Sequence, residues 1–298
     1  MKQINRLLFL GILFFSTIYA GVLFGQEHND ATIFHIYSPH TSFPDTGRAK
    51  GHTYDNVLYS AAEHYNDSTV LIVVPKNLDA KKKVDLVFWF HGWRNNVDNA
   101  SVHYELTKQF LASHRNAVLV LAETARDAPD SYGGKLENPG VFTALVADVL
   151  AGLKSKGLIQ PRCTAGHILL AGHSGAYRVM ARIIKNGGEP IDEVMLFDAL
   201  YAETDIFTDW VRAEPGHRFI NLFTDHGGTL DETHSMEKLL DDADINYLQL
   251  EEKDVVPAQY RSQRVLFIHS LKPHDEIVNP DNFRLMLENN PFLKSVKT

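Results

Sequence analysis

The sequence predicts an α/β fold in which helices cover both faces of a mainly parallel sheet. Short apolar runs recur along the chain, and segments of helix length separate them. Residues 84–90 (VDLVFWF) are apolar at almost every position, which is typical of strands buried on both faces. Strands that alternate with helices form parallel sheets, because each parallel connection needs a long crossover. No linker or repeat divides residues 26–298, so we expect one domain there.

The elements follow in chain order. A short strand is one interpretation of residues 33–37, and the next run, residues 69–74 (TVLIVV), ends at Pro75. Later strands are predicted at residues 84–90, 117–122, 168–171, 193–197, 219–224 and 264–268. Helical spacing of apolar residues predicts helices at residues 101–113, 141–153 and 177–184. Residues 201–214 form either a short cap over the sheet edge or a packed helix.

Composition excludes several classes of function. The 298 residues are 44% hydrophobic and 22% charged, enough for one sizeable core. The net charge of −8 and the absence of a basic stripe argue against a nucleic-acid partner. The single cysteine, Cys163, allows no intramolecular disulfide, and we expect it to be buried and inert. His226 and His234 lie eight positions apart with acidic residues nearby, which makes them the candidate metal ligands. No His-Glu-x-x-His run or paired ligand spacing appears, however, so we expect no metal or cofactor.

The first 25 residues are predicted to lie outside the folded domain. Lys2 and Arg6 precede a mostly apolar run at residues 7–24, as in a secretory signal. Cleavage after Ala20 or Gly25 would release residues 21–298 or 26–298 as an exported protein, periplasmic or secreted. The run is also long enough to span a bilayer, so an uncleaved N-terminal anchor remains the alternative.

The most informative stretch is Gly172-His173-Ser174-Gly175-Ala176. It lies between a predicted buried strand and a predicted helix, the context of a nucleophile elbow. Such a turn lifts a serine hydroxyl out of the sheet and needs small neighbours, because strand and helix approach closely. Alanine replaces the usual glycine two positions after the serine, and it is still small. We expect His173 to pack under the turn and not to titrate.

Polar residues follow the predicted strands where each one ends. They are His91, Gly92 and Trp93 after one strand, Asp198 and Asp225 after two later strands, and His269 and His274 after the last. Sites in parallel sheets lie at the carboxyl ends of the strands. This distribution indicates an enzyme.

Together, the Ser174 turn, the His91-Gly92-Trp93 segment, a late aspartate and His274 resemble the α/β-hydrolase family, over roughly residues 65–295. The resemblance implies that Ser174 is the nucleophile and His274 the general base, with an aspartate orienting the imidazole. It also implies that the backbone N–H groups of Trp93 and Gly175 form the oxyanion hole.

Two assignments stay open. Asp225 occupies the commoner position for the acid in that family and is favoured, while Asp198 occupies the position that a minority of members use. His274 is favoured over His269 as the base, because His269 lies almost inside the last strand whereas His274 follows Pro273 in a loop.

Lys135, Arg178 and Tyr132 are candidates for contacts with substrate. The two cations suit an acidic group, and Tyr132 could form a wall of the cleft. The alternative is that these side chains pair with residues of the protein itself.

The sequence therefore predicts an exported serine hydrolase that cleaves an ester or amide through an acyl-enzyme. Its partner would be a small-molecule or cell-envelope substrate, and it would contact a membrane only through an uncleaved N-terminal segment. The alternatives are a non-catalytic binding protein with the same scaffold and a membrane-tethered structural protein.

Overall fold

A computed structural model of the chain describes residues 30–296. Its strands are β1 (Ala31–Tyr37), β2 (His52–Tyr54), β3 (Val57–Tyr59), β4 (Thr69–Pro75), β5 (Lys83–Phe90), β6 (Ala117–Ala122), β7 (Thr164–His173), β8 (Glu193–Phe197), β9 (Arg218–Thr224), β10 (Leu248–Glu251) and β11 (Val265–Ser270). Its α-helices are α1 (Ala61–His64), α2 (Val97–His103), α3 (Leu106–Ala112), α4 (Val141–Ser155), α5 (Tyr177–Asn186), α6 (Thr204–Ala213), α7 (Leu230–Asp242), α8 (Pro257–Ser262) and α9 (Asn282–Glu288).

Nine strands form one sheet in the order β1-β4-β6-β5-β7-β8-β9-β11-β10. β4 runs antiparallel to both β1 and β6, whereas all other neighbours in this sheet are parallel. The predicted mainly parallel sheet is therefore confirmed. β7, which ends beside Ser174, lies at the centre between β5 and β8. The carboxyl ends of these three strands consequently meet at one edge.

Apolar side chains cover both faces of the sheet, as the unbroken apolar runs predicted. One face packs against α4, α5, α6 and α7, through residues such as Val149, Met180 and Phe207. The other face packs against α2, α3, α8 and α9, for example through Phe110 and Phe283. Full burial of such a side chain stabilises the fold by about 1.5–3 kcal/mol. Helices on both faces hold the central strands in place and leave their ends to form a site.

Two local features differ from the sequence predictions, and one open alternative is decided. The helix expected at residues 101–113 is two helices, α2 and α3, because Glu105 between them has a left-handed φ of 48°. Of the two interpretations of residues 201–214, the structure shows the packed helix, since α6 buries Phe207 and Val211 in the core. The short strands β2, β3 and β10 were not predicted, because three or four residues carry little periodicity.

The N-terminal prediction cannot be compared with the fold, because residues 1–25 lie outside the described residues. Among residues 30–296, no helix has the length and apolar character needed to cross a bilayer. Cys163 is buried, as expected.

Candidate active site

Ser174 lies in a sharp turn between β7 and α5. Its φ is 55°, in the left-handed region that residues with a Cβ rarely adopt. Such backbone strain is found preferentially at functional sites. A Cβ on Gly172 would lie 2.6 Å from the Ala176 Cβ and 2.7 Å from the Met180 sulfur, so this position requires glycine. The strand, turn and helix therefore follow the course that the sequence predicts around Ser174.

A cavity of about 710 Å³ opens beside this turn. Both Ser174 and His274 line it, together with Trp93, Arg94, Asn99 and Tyr104 among others. The cavity lies at the carboxyl edge of the sheet, where ligand sites of parallel sheets occur. The volume falls in the range of small-molecule sites.

His274 is hydrogen-bonded to Asp198. Its Nδ1 lies 2.6 Å from Asp198 Oδ2, and Asp198, directly after β8, is fully buried. The hydroxyl of Thr224 donates to the same carboxylate at 2.9 Å, and the hydroxyl of Thr229 also donates to it. Burial alone would raise the pKa of Asp198, but the hydrogen bonds from His274, Thr229 and Thr224 lower it below the usual range. The charged carboxylate can only accept, so Nδ1 carries the proton and Nε2 is left as a base.

The structure corrects the preference for Asp225 as the partner of His274. Asp225 Oδ1 instead lies 2.9 Å from His269 Nε2, and His269 Nδ1 lies 3.0 Å from Glu251. The reason is which carboxylate the His274 side chain reaches. It reaches Asp198 after β8, whereas Asp225 after β9 is bound to His269. Of the two imidazoles considered, His274 shares the cavity with Ser174 and His269 stands between two carboxylates.

Tyr201 lies beside the candidate site. Its ring stands edge-on to His274 at 6.2 Å between centroids. Burial, and then the charge of Asp198, raise the pKa of Tyr201, so the phenol stays protonated. Within residues 30–296, no hydrogen bond joins Ser174 to His274. Serine–histidine contacts are often long in free enzymes and tighten when substrate binds.

His173 holds the backbone of His274. Its Nε2 lies 3.0 Å from the His274 carbonyl oxygen, which can only accept, so Nε2 carries the proton. Nδ1 then accepts from the Tyr104 hydroxyl at 2.9 Å. The ring packs on that of His274, with centroids 4.4 Å apart. Burial lowers the pKa of His173 to about 3, so the ring stays neutral, as the sequence analysis expected.

This buried neutral ring predicts a pH effect on stability. His173 takes up a proton in the unfolded chain below about pH 6.5 but not in the folded chain until about pH 3. The unfolded state therefore binds more protons in this window, and the free energy of unfolding falls as the pH falls. Between pH 7 and 4.5, the wild type should lose about 2–3 kcal/mol more than His173→Gln, measured by urea unfolding. Equal losses in the two proteins would contradict this assignment.

The segment His91-Gly92-Trp93 packs directly on the Ser174 turn. A Cβ on Gly92 would lie 2.7 Å from Ser174 Cβ and 2.9 Å from the His173 carbonyl oxygen. His91 is buried, donates from Nδ1 to the Gly92 carbonyl at 2.8 Å, and contacts Glu123 through Nε2 at 2.5 Å. Burial would lower the pKa of His91, but Glu123 outweighs it and raises the pKa.

The Gly92–Trp93 peptide is therefore fixed in orientation. In a planar trans peptide the Trp93 N–H points away from the Gly92 carbonyl that His91 holds. Among the described residues, this N–H donates to no protein acceptor. It is thus available to a ligand beside Ser174, as an oxyanion donor must be.

The three predicted substrate contacts are engaged inside the protein. Arg178 makes a bidentate ion pair with Glu137 at 2.7 and 3.0 Å. Tyr132 donates its hydroxyl to Asp45 at 2.8 Å, and the ammonium of Lys135 donates to the Pro39 carbonyl. None of the three is among the residues that line the 710 Å³ cavity. The interpretation in which these side chains pair internally fits the structure better.

Potential metal ligands come together in one place among residues 30–296, at His173, His274 and Asp275. Both ring nitrogens of His173 already have hydrogen-bond partners, as does Nδ1 of His274. A metal would have to break these contacts, so the geometry favours proton chemistry at this place. His234 pairs with Glu237 at 2.9 Å.

Comparison with solved structures identifies the fold of the chain, whereas comparison of sequences finds no relative. No protein-family profile and no curated protein sequence matches the chain. Among solved structures, a ferulic acid esterase superposes with a TM-score of 0.57 at 10% identity, covering 89% of this chain and 99% of its own. A feruloyl esterase module from Clostridium thermocellum, complexed with sinapinate, gives 0.54 at 10% identity and covers 89% of both chains. The chain has the α/β-hydrolase fold.

A third structure with this fold is a fluorophosphonate-binding serine hydrolase from Staphylococcus aureus. Its TM-score is 0.52 at 10% identity, over 87% of this chain and 98% of its own.

Sequence analysis missed or left without a role several residues around the site. Tyr104 and Thr229 were overlooked, and Glu123 was noted only as a polar residue after a strand. Their roles depend on partners that lie between 31 and 69 positions away along the chain.

Proposed function

We propose that the chain is a serine hydrolase that cleaves an ester or amide through an acyl-enzyme on Ser174. The observation that carries this proposal is the 2.6 Å hydrogen bond from His274 to buried Asp198, in a cavity that Ser174 also lines. This bond fixes the tautomer that leaves His274 Nε2 as the base. The names of the similar structures, esterases and a serine hydrolase, support the same chemistry.

In the first step, His274 Nε2 accepts the proton of Ser174 while the serine oxygen attacks the substrate carbonyl carbon. The carbonyl double bond becomes an oxyanion, which accepts hydrogen bonds from the N–H groups of Trp93 and Gly175. Each donor is worth about 3 kcal/mol in the transition state. His274 then gives its proton to the leaving alcohol or amine as the bond breaks.

The second step repeats this sequence with water. His274 takes a proton from water, the hydroxide attacks the acyl carbon, and Ser174 leaves with the proton from His274. Asp198 stays ionised in both steps and stabilises the imidazolium that forms twice. Its hydrogen-bond donors are His274, the hydroxyl of Thr229, and the hydroxyl and backbone N–H of Thr224. They keep the carboxylate in place without neutralising it.

Hydrolysis of p-nitrophenyl acetate, butyrate and octanoate tests this proposal. We expect turnover of at least one ester, with an initial burst of p-nitrophenol if deacylation is the slower step. The non-catalytic alternative has one observation in its favour, namely that among residues 30–296 no hydrogen bond joins Ser174 to His274. Folded protein that binds these esters without releasing nitrophenol would support that alternative.

We also propose that the hydrolase is exported and acts on a small-molecule or cell-envelope substrate. The basic residues and apolar run at residues 1–25 support export. N-terminal sequencing of exported protein should find a start at about residue 21 or 26. A start at Met1 would indicate a retained anchor.

A further inference from the structure

One cation in the cavity has no role in the reaction described above. Arg94 follows Trp93 directly, is exposed, and lines the same cavity as Ser174 and His274. Its φ is 56°, a left-handed conformation that glycine or asparagine adopts more readily than arginine. Backbone strain of this kind is concentrated at functional sites, so the strained conformation of Arg94 next to the candidate oxyanion donor Trp93 indicates a function for this arginine.

The backbone around Arg94 is held rigidly. The Arg94 N–H donates to the Ala128 carbonyl at 2.9 Å, and the Asp127 N–H donates to the Asn95 carbonyl at 2.8 Å. Next to them, Asn96 caps α2 by accepting from the Asn99 N–H at 2.9 Å. The base of the side chain is thus fixed relative to Ser174, which limits the positions that the guanidinium can reach.

Arg94 is also unpaired. In the part of the chain that the structure describes, no carboxylate lies within ion-pair distance of its guanidinium. The neighbouring acids have other partners, since Asp98 pairs with His35 and Asp127 accepts from Asn96. Glu123 is bound to His91.

The arginines on the adjacent surface differ from Arg94 in this respect. Arg126 pairs with Asp67, and Arg178 pairs with Glu137. Asp275, which also lines the cavity, belongs to the 3-10 turn that starts at His274. The residues that line the cavity therefore include a cation, Arg94, that forms no ion pair in the described part of the chain, and a carboxylate, Asp275.

We propose that Arg94 binds a carboxylate on the substrate, so that the preferred substrates are esters or amides with a negatively charged acyl or leaving group. A guanidinium binds a carboxylate through two parallel hydrogen bonds and keeps its charge at any working pH. One unpaired guanidinium balances one negative charge, which suits a carboxylate better than a phosphate dianion. This proposal rests on the proposed hydrolase function.

The test compares matched charged and neutral esters on the full chain. Monomethyl adipate against methyl hexanoate places the charge on the acyl side, and 4-acetoxybenzoate against its methyl ester places it on the leaving group. We expect a preference for the charged ester of about tenfold or more in kcat/KM in at least one pair. Arg94→Gln should abolish that preference while changing neutral esters by less than about threefold, and Arg94→Lys should restore part of it.

Arg126→Gln is the matched control, because it removes a paired arginine that does not line the cavity. It should leave the preference unchanged. Wild-type protein that hydrolyses neutral esters at least as well as charged ones in both pairs would overturn the role of Arg94 and leave the hydrolase proposal standing. Failure to hydrolyse any of the four esters, with no covalent labelling of Ser174, would overturn both.

Discussion

Replacing Ser174 with alanine is expected to lower kcat for ester hydrolysis by about 10⁴-fold or more. The variant has no oxygen to form the acyl-enzyme, so the base at His274 has no proton to accept from the protein. Any remaining rate would come from the oxyanion donors and from substrate binding alone. The measurement is the steady-state rate with the best p-nitrophenyl ester, for wild type and variant side by side.

Ser155→Ala is a suitable control for this experiment. Ser155 ends α4, is exposed and does not line the cavity, and its hydroxyl donates only to the Gly152 carbonyl within the same helix. This variant should keep the wild-type rate. A Ser174→Ala protein with unchanged melting temperature and undiminished hydrolysis would show that another group performs the reaction.

Replacing Asp198 with asparagine is expected to lower kcat by about 10³- to 10⁴-fold. Asparagine has nearly the shape of aspartate, but its amide can donate to His274 Nδ1 and so stabilise the tautomer with the proton on Nε2. In that tautomer His274 cannot accept the proton of Ser174. The variant also loses the negative charge that stabilises the imidazolium.

Asp225→Asn is the matched comparison, because sequence analysis favoured Asp225 for the same role. Its carboxylate bonds His269, and the structure places neither residue among those that line the cavity. We expect this variant to stay within about threefold of wild type, as surface ion pairs contribute little. A large loss with Asp225→Asn and a small one with Asp198→Asn would reverse the assignment.

Much of the architecture could be predicted from the sequence. The long strands are almost unbroken apolar runs, and the turn at Ser174 carries small residues on both sides. These are local signals, which a single chain displays directly. The short hairpin of β2 and β3 and the edge strand β10 have too few residues to give such a signal.

The identity of the aspartate that pairs with His274 could not be predicted from the local sequence. Asp198 and Asp225 each follow a buried strand, so their sequence contexts are alike. What separates them is the path of the chain after β9 in space, which brings His274 to Asp198 and places His269 of β11 against Asp225. The same limit applies to Tyr132, whose partner Asp45 is 87 positions away along the chain. Arg94 was missed because its lack of a partner becomes visible only when every neighbouring carboxylate is placed.

The most direct test of the central claim is the site and rate of labelling by a fluorophosphonate, read by mass spectrometry of the digested protein. If Ser174, His274 and Asp198 act as one catalytic unit, we expect a single adduct, on the peptide that contains Ser174. We also expect slow labelling in Asp198→Asn and wild-type labelling in Asp225→Asn. No adduct on folded wild-type protein, or an adduct on a different serine, would contradict the account.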